Sequence, residues 1–313
     1  MHAAAFSPRG GVSPRSARLR GQSIIEYVLI IAVIGLVIVF AGPGVAGAIR
    51  NQFSQVTNTV DSGTDGGNFM SAEEKAYQEA MKTVVNKDAK DWTLDEQKAA
   101  ATDIAKNGTS SVVYAKAKAA MEAGTKYSAK LTNGKTLEYR IVGINHDDLA
   151  DGSGKAGLTF EATNTVLGAQ RMNATQTNAG GWEQSELRGR LNSGDLWSLL
   201  PSELQSKVKT VKKMTDNKGG GTAGTPSATT DKVFLLSSSE VYGDLDSDGT
   251  QYEYYKSKGV STSSYSGASS SYYHWTRSVS PSYSTYFRFV SSNGGCYNGN
   301  AAHTSYVFPA FSF

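Results

Sequence analysis

Read as a pattern of apolar and polar positions, the chain divides into three stretches with different periods. Residues 24–41 are an unbroken aliphatic run whose only charge is Glu26. As a helix this run rises roughly 27 Å, enough to cross most of a bilayer core. Residues 61–68 carry Gly, Asp, Ser and Thr with no periodicity and read as a flexible linker. Helical spacing follows. Ser71 with Glu73 and Glu74 predicts a capped helix to about Asn86, Thr93 with Asp95 and Glu96 a second to about Lys106, and Ser110 or Ser111 a third that stops at Gly124. From Lys126 the period shortens to that of strands. Residues 135–144, 157–163, 207–214, 231–236, 274–278 and 287–290 read as strands, with helices starting near Gly181 and Pro201, and residues 307–311 (VFPAF) close the pattern.

The expected fold class is therefore α+β: a long N-terminal transmembrane helix, a helical spacer and a mixed C-terminal domain. The expected boundaries are a leader at 1–21, an apolar helix at 22–60, a linker and spacer at 61–125, and the C-terminal domain at 126–313. Net charge is +3, and Arg9, Arg15, Arg18 and Arg20 of the acid-free leader supply much of the basic excess. That balance gives no nucleic-acid footprint. Cys296 is the only cysteine, which excludes an intrachain disulfide and a cysteine-built metal site.

Glu26 sits five residues past Gly21, inside hydrocarbon-like sequence. A carboxylate there is costly without a partner. A signal peptide cut near residues 46–48 or a simple membrane anchor leaves it unexplained. Residues 20–27 (RGQSIIEY) resemble the processing site of type IV prepilins of the tight-adherence (Flp) kind. The resemblance covers about residues 20–60 and implies cleavage between Gly21 and Gln22 by a prepilin peptidase. It also implies assembly with other pilin subunits through Glu26 and Tyr27, a cell-membrane location before assembly and a surface pilus afterwards. Flp pilins are normally very short, and this chain continues far beyond them.

The C-terminal succession resembles the C-type-lectin-like domains of bacterial surface and phage proteins. Its landmarks here are Gly181, Trp182, Glu186, Leu187, Arg188, Leu191, Asn192, Asp231, Lys232, residues 234–237, Trp275, Arg277, Ser278 and residues 309–311. Thr276 and Phe308 depart from the usual Leu and Arg. Within it, residues 272–306 resemble the variable region of proteins diversified by retroelements, which rewrite adenines. Tyr, Ser, Asn, Thr and His positions there alternate with scaffold residues such as Trp275, Arg277, Val290 and Gly294. Tyrosine supplies rigid contact area, and Ser, Gly and Asn supply adaptable hydrogen bonds. A plain low-complexity loop has the same composition. The side chains expected on a ligand-binding face are Tyr272, Tyr273, His274, Ser280, Ser282, Tyr283, Thr285, Tyr286, Phe289, Ser291, Tyr297, Asn298, Asn300, His303, Thr304 and Tyr306.

Asp244, Asp246 and Asp248 match the first half of a calcium loop, but Tyr255 stands where its last ligand belongs, leaving Glu240 or Glu253 as substitutes. A solvated acidic turn is the alternative. The four histidines share no ligand spacing, and no catalytic order is legible. The expected function is a pilin-like surface adhesin or receptor that binds an extracellular protein or glycan non-covalently. It is expected to need no cofactor beyond a calcium option. The rivals are a membrane-anchored lectin-like enzyme or sensor, and a pilus shaft subunit with an inert head.

Overall fold

Capping chemistry starts the first two helices where the spacing places them, whereas the third starts at Tyr114, past the expected Ser110 or Ser111, with no side-chain cap. The computed structural model describes residues 70–313. In α1 (Ala72–Val84) the Ser71 hydroxyl accepts from the Glu74 N–H. In α2 (Leu94–Asn107) Thr93 and Glu96 cap each other reciprocally. α3 (Tyr114–Ala123) ends at Gly124, which takes the left-handed conformation that glycine adopts without strain.

Three sheets follow. The first has the order β1 (Lys126–Lys130), β2 (Thr136–Ile144), β3 (Leu158–Ala162), β12 (Ala310–Ser312) and β7 (Val233–Phe234), antiparallel throughout. The second has the order β10 (Cys296–Asn300), β9 (Tyr286–Val290), β8 (His274–Val279), β11 (Ser305–Tyr306) and β4 (Ala169–Gln170). Its β8–β11 pairing is parallel. β5 (Val211–Thr215) and β6 (Ser227–Asp231) form a separate hairpin. Short helices α4 (Glu186–Asn192), α5 (Asp195–Ser198), α6 (Ser202–Gln205), α7 (Ser238–Tyr242) and α8 (Glu253–Ser257) lie between the strands in sequence. The last residues enter both large sheets, β11 beside β8 and β12 between β3 and β7.

Among the described residues no helix is long and apolar enough to cross a membrane. The longest, α2, has 14 residues, about 21 Å of rise. This corrects the expected fold class: the described residues are mixed α+β, with no membrane-spanning helix among their elements. The leader, residues 22–60 and with them Gly21, Gln22, Glu26 and Tyr27 lie outside the described residues.

Residue 125 is not a boundary of packing. Tyr139 of β2 donates its hydroxyl to Gln97 of α2 at 3.0 Å, and Asn145 donates to the Ile104 carbonyl. A Cβ on Gly157 would lie 1.8 Å from the Ala101 carbonyl oxygen, so glycine lets α2 meet the start of β3. The helices expected as a spacer thus belong to the same compact unit as the sheets. Phe160 centres its aromatic core, with Tyr139, Phe311 and Phe313 at ring distances of 5.5, 5.5 and 4.9 Å. Burying each such ring contributes about 1.5–3 kcal/mol.

Candidate ligand-binding cleft

The second sheet builds the site. In β8, His274 pairs with Val290 and Trp275 with Phe289, after which the register shifts before Val279 meets Phe287. β10 then runs beside β9, setting Tyr297 opposite Phe289 and Gly299 opposite Phe287. Directly paired residues share a face, so Trp275, Phe289 and Tyr297 form one aromatic row. Phe289 lies 6.2 Å from Trp275, edge to face, and 6.0 Å from Tyr297, stacked. Tyr273 meets Phe289 edge-on at 5.9 Å. Trp275 donates its indole N–H to the Gln170 carbonyl at 2.9 Å, which fixes the ring against β4. A Cβ on Gly299 would come within 2.7 Å of the Trp275 ring and 3.1 Å of Phe289. Glycine is the residue that lets β10 lie so close.

Over this row lies a cleft of about 600 Å³ lined by Ala169, Tyr273, Trp275, Tyr286, Phe289, Asn298, Gly299, Asn300, His303, Thr304, Ser305 and Tyr306. A shallower depression of about 390 Å³ adjoins it, lined by Tyr273, Phe289, Ser291, Ser292, Asn293 and Tyr297. Tyr273 and Phe289 are shared and form the ridge between them. Among the described residues neither depression is lined by Asp, Glu, Lys or Arg. Contact is offered by aromatic faces, by the amides of Asn293, Asn298 and Asn300, and by hydroxyls. Such a surface suits non-covalent capture of an uncharged ligand.

Most of the face expected from sequence comes together here. Tyr273, Tyr286, Phe289, Asn298, Asn300, His303, Thr304 and Tyr306 line the cleft, and Tyr297 and Ser291 line its neighbour. Tyr272 packs on Tyr306 at 4.8 Å, and Tyr283 on Tyr286 at 5.1 Å. Ser282 is exposed and Thr285 half-buried. Two residues are corrected. His274 is buried and stacks on Phe308 at 4.3 Å; burial lowers its pKa to about 4. Ser280 is buried, its N–H given to Tyr286 O. Trp275, Gly299 and Ser305 also line the cleft although sequence did not single them out as contacts. The alternation in β8 and the Gly299 opening in β10 are the signals that would have found them.

The acidic turn has a different geometry from a calcium loop. Asp244 accepts from the Thr262 N–H and hydroxyl. Asp246 accepts from Arg288 Nη2 at 2.9 Å. Asp248 is buried and accepts from the Asp216 N–H, and burial raises its pKa. The two candidate substitutes are likewise committed, Glu253 to His146 and Glu240 to Arg277 and Lys213. Among the described residues no group of three His, Cys, Asp or Glu side chains is placed to hold a metal ion.

Most landmark residues of the C-terminal resemblance are buried supports, whereas Glu186 and Lys232 are exposed and Arg188 and Asn192 half-buried. Trp182 donates its indole N–H to Asp231 at 3.1 Å, Arg188 donates to the same carboxylate at 2.6 Å, and Thr229 adds a third donor. Arg277 is wholly buried. No curated protein and no solved structure matches the chain. A family model described as a domain of unknown function, DUF6273, matches residues 156–313, just over half of the sequence and every strand of the cleft, and the chain belongs to that family.

Proposed function

We propose that the unit containing residues 126–313 is a recognition domain that binds an extracellular ligand non-covalently in the cleft above Trp275. The observation that carries this reading is the convergence of aromatic, amide, hydroxyl and imidazole side chains, with no Asp, Glu, Lys or Arg among them, from four separate segments (Ala169, the start of β8, β9 and residues 298–306) on one concavity of about 600 Å³. Large, rigid aromatic rings in a concave site are where binding energy concentrates. Tyr273 and Tyr297 each touch Phe289 yet leave about half of their area to solvent. Export and assembly with pilin subunits are part of the proposal and rest on the sequence of residues 20–27 alone.

The test uses the purified full chain against an array of neutral oligosaccharides and a library of uncharged peptides, alongside the double variant Tyr273→Ala/Tyr297→Ala. Binding by the native chain and loss of at least about tenfold in the variant, at an unchanged unfolding midpoint, is the expected result. Ligands retained equally by a folded variant would move the site elsewhere.

A further inference from the structure

The open edge of the second sheet identifies the kind of ligand. β10 is the terminal strand, with β9 on one side and, among the described residues, no strand on the other. Its five residues, CYNGN, include no charge and no proline, the devices by which natural edge strands are protected from further pairing.

The register shows which backbone groups are free to pair. At one end of the β9–β10 ladder the Ser291 N–H donates to Gly295 O, and beyond the other the Ala301 N–H donates to Thr285 O. Hydrogen-bonded positions recur at every second residue of an antiparallel pair. Tyr297 and Gly299 therefore direct their N–H and C=O groups to β9, and Cys296, Asn298 and Asn300 direct theirs outward. Of these outward groups, the Asn300 carbonyl accepts from the His303 N–H at 2.9 Å. Asn298 and Asn300 also line the cleft, so the outward edge and the aromatic concavity are one continuous surface. A strand of this length spans about 17 Å.

We infer that an uncharged peptide segment in extended conformation adds to β10 as a further strand, with alternate side chains entering the cleft beside Trp275. Backbone pairing to Cys296 and Asn298 supplies affinity, and the Tyr273 and Tyr306 walls select the side chains. Uncharged peptides fit because no acid, lysine or arginine lines either depression. This inference rests on the binding reading of the cleft and names the ligand class for it.

The experiment selects binders to the full chain from a library of uncharged ten-residue peptides, with neutral hexasaccharides (cello-, malto- and chito-) in parallel. Each selected peptide is then remade with N-methyl groups on alternate amides, in both registers. One register should lose about tenfold or more in affinity and the other change little, because only alternate amides of an added strand face β10. Asn298→Pro should weaken the same peptides about tenfold, since its N–H lies outside the β9 ladder and an edge proline facing away from the sheet is tolerated. If Asn298→Pro shifts the unfolding midpoint, Asn298→Lys, which guards the edge by charge, takes its place. Equal sensitivity of both registers, or peptides indifferent to both Asn298 variants, overturns strand addition, as does failure to enrich any peptide. Hexasaccharide binding without peptide binding also overturns it; if that binding is lost in Tyr273→Ala/Tyr297→Ala, the cleft remains the site.

Discussion

Arg277 donates through Nη2 to Glu240 Oε1 at 2.8 Å, with both side chains closed off from solvent. The same guanidinium holds the carbonyls of Leu235, Met214 and Asp248 and the Thr215 hydroxyl, so it ties β8, the β5 hairpin strand and the acidic turn together. Glu240 in turn accepts from the Ser237 N–H at the start of α7 and pairs with Lys213, which reaches Asp147 at 2.5 Å. A buried carboxylate left with one partner of two loses far more than an exposed pair would.

Arg277→Met should therefore destabilise the fold by about 3–5 kcal/mol in urea unfolding. Arg277→Lys should recover little of it, because one ammonium cannot span a carboxylate and three carbonyls. A loss below about 1 kcal/mol for Arg277→Met would mean that Lys213 alone satisfies Glu240.

His274 predicts an acid-sensitive step. Its pKa is lowered to about 4 by burial, against 6.5 for the free side chain. The unfolded chain then binds a proton that the folded chain refuses, so stability is lost as pH falls from about 6.5 towards 4. The full effect is on the order of 3 kcal/mol. Asp147, drawn down to about 2 by Lys213 and His146 in spite of burial, acts in the same direction at still lower pH. In His274→Phe, which keeps the stack on Phe308, the loss between pH 6.5 and 4 should be much reduced in thermal melts. An unaltered pH profile would assign the acid response to other groups.

Local chemistry made much of the scaffold legible. Ser71, Thr93 and Gly124 carried their own capping signals, and the runs at residues 135–144, 157–163 and 287–290 marked strands that the fold contains at 136–144, 158–162 and 286–290. The same reading did not reveal β10. Its CYNGN sequence has low strand propensity and is held by pairing with β9. The buried Lys213, Asp147 and Glu240 were opaque for a related reason. Their partners lie far apart in sequence, and three isolated charges read as surface until the fold joins them. At the cleft, composition identified the tyrosines, but it could not distinguish Tyr273, which projects, from His274, which turns inward one residue later. That distinction belongs to strand pleat and needs the register.

Gly299 and Trp275 set the depth of the cleft. Gly299→Ala places a methyl group within 2.7 Å of the indole, and relieving that overlap should cost about 1–3 kcal/mol. Because the ring is fixed by the Gln170 carbonyl, the strain should appear as movement of β10. Trp275 fluorescence should shift, and ligand affinity should fall by more than the stability change alone explains. A variant with native fluorescence and native affinity would show that the strand yields at no cost to the site.

The tyrosines themselves give the sharpest separation between a binding face and a core. Tyr283 and Tyr297 are about half exposed, whereas Phe287, in the strand that pairs with Tyr297, is fully buried. Truncating an exposed ring removes little packed surface, so Tyr283→Ala and Tyr297→Ala should each stay within about 0.5–1 kcal/mol of the native stability. Phe287→Ala opens a cavity in the core and should cost about 3–5 kcal/mol. Urea midpoints for the three variants decide the matter. If Tyr297→Ala approached the loss at Phe287, its stack on Phe289 at 6.0 Å would be part of the core, and the second depression would be a packing defect. With the tyrosine variants near native and Phe287→Ala alone collapsing, the rings around the cleft are held out to solvent by a scaffold that does not need them, which is the condition a recognition surface must meet.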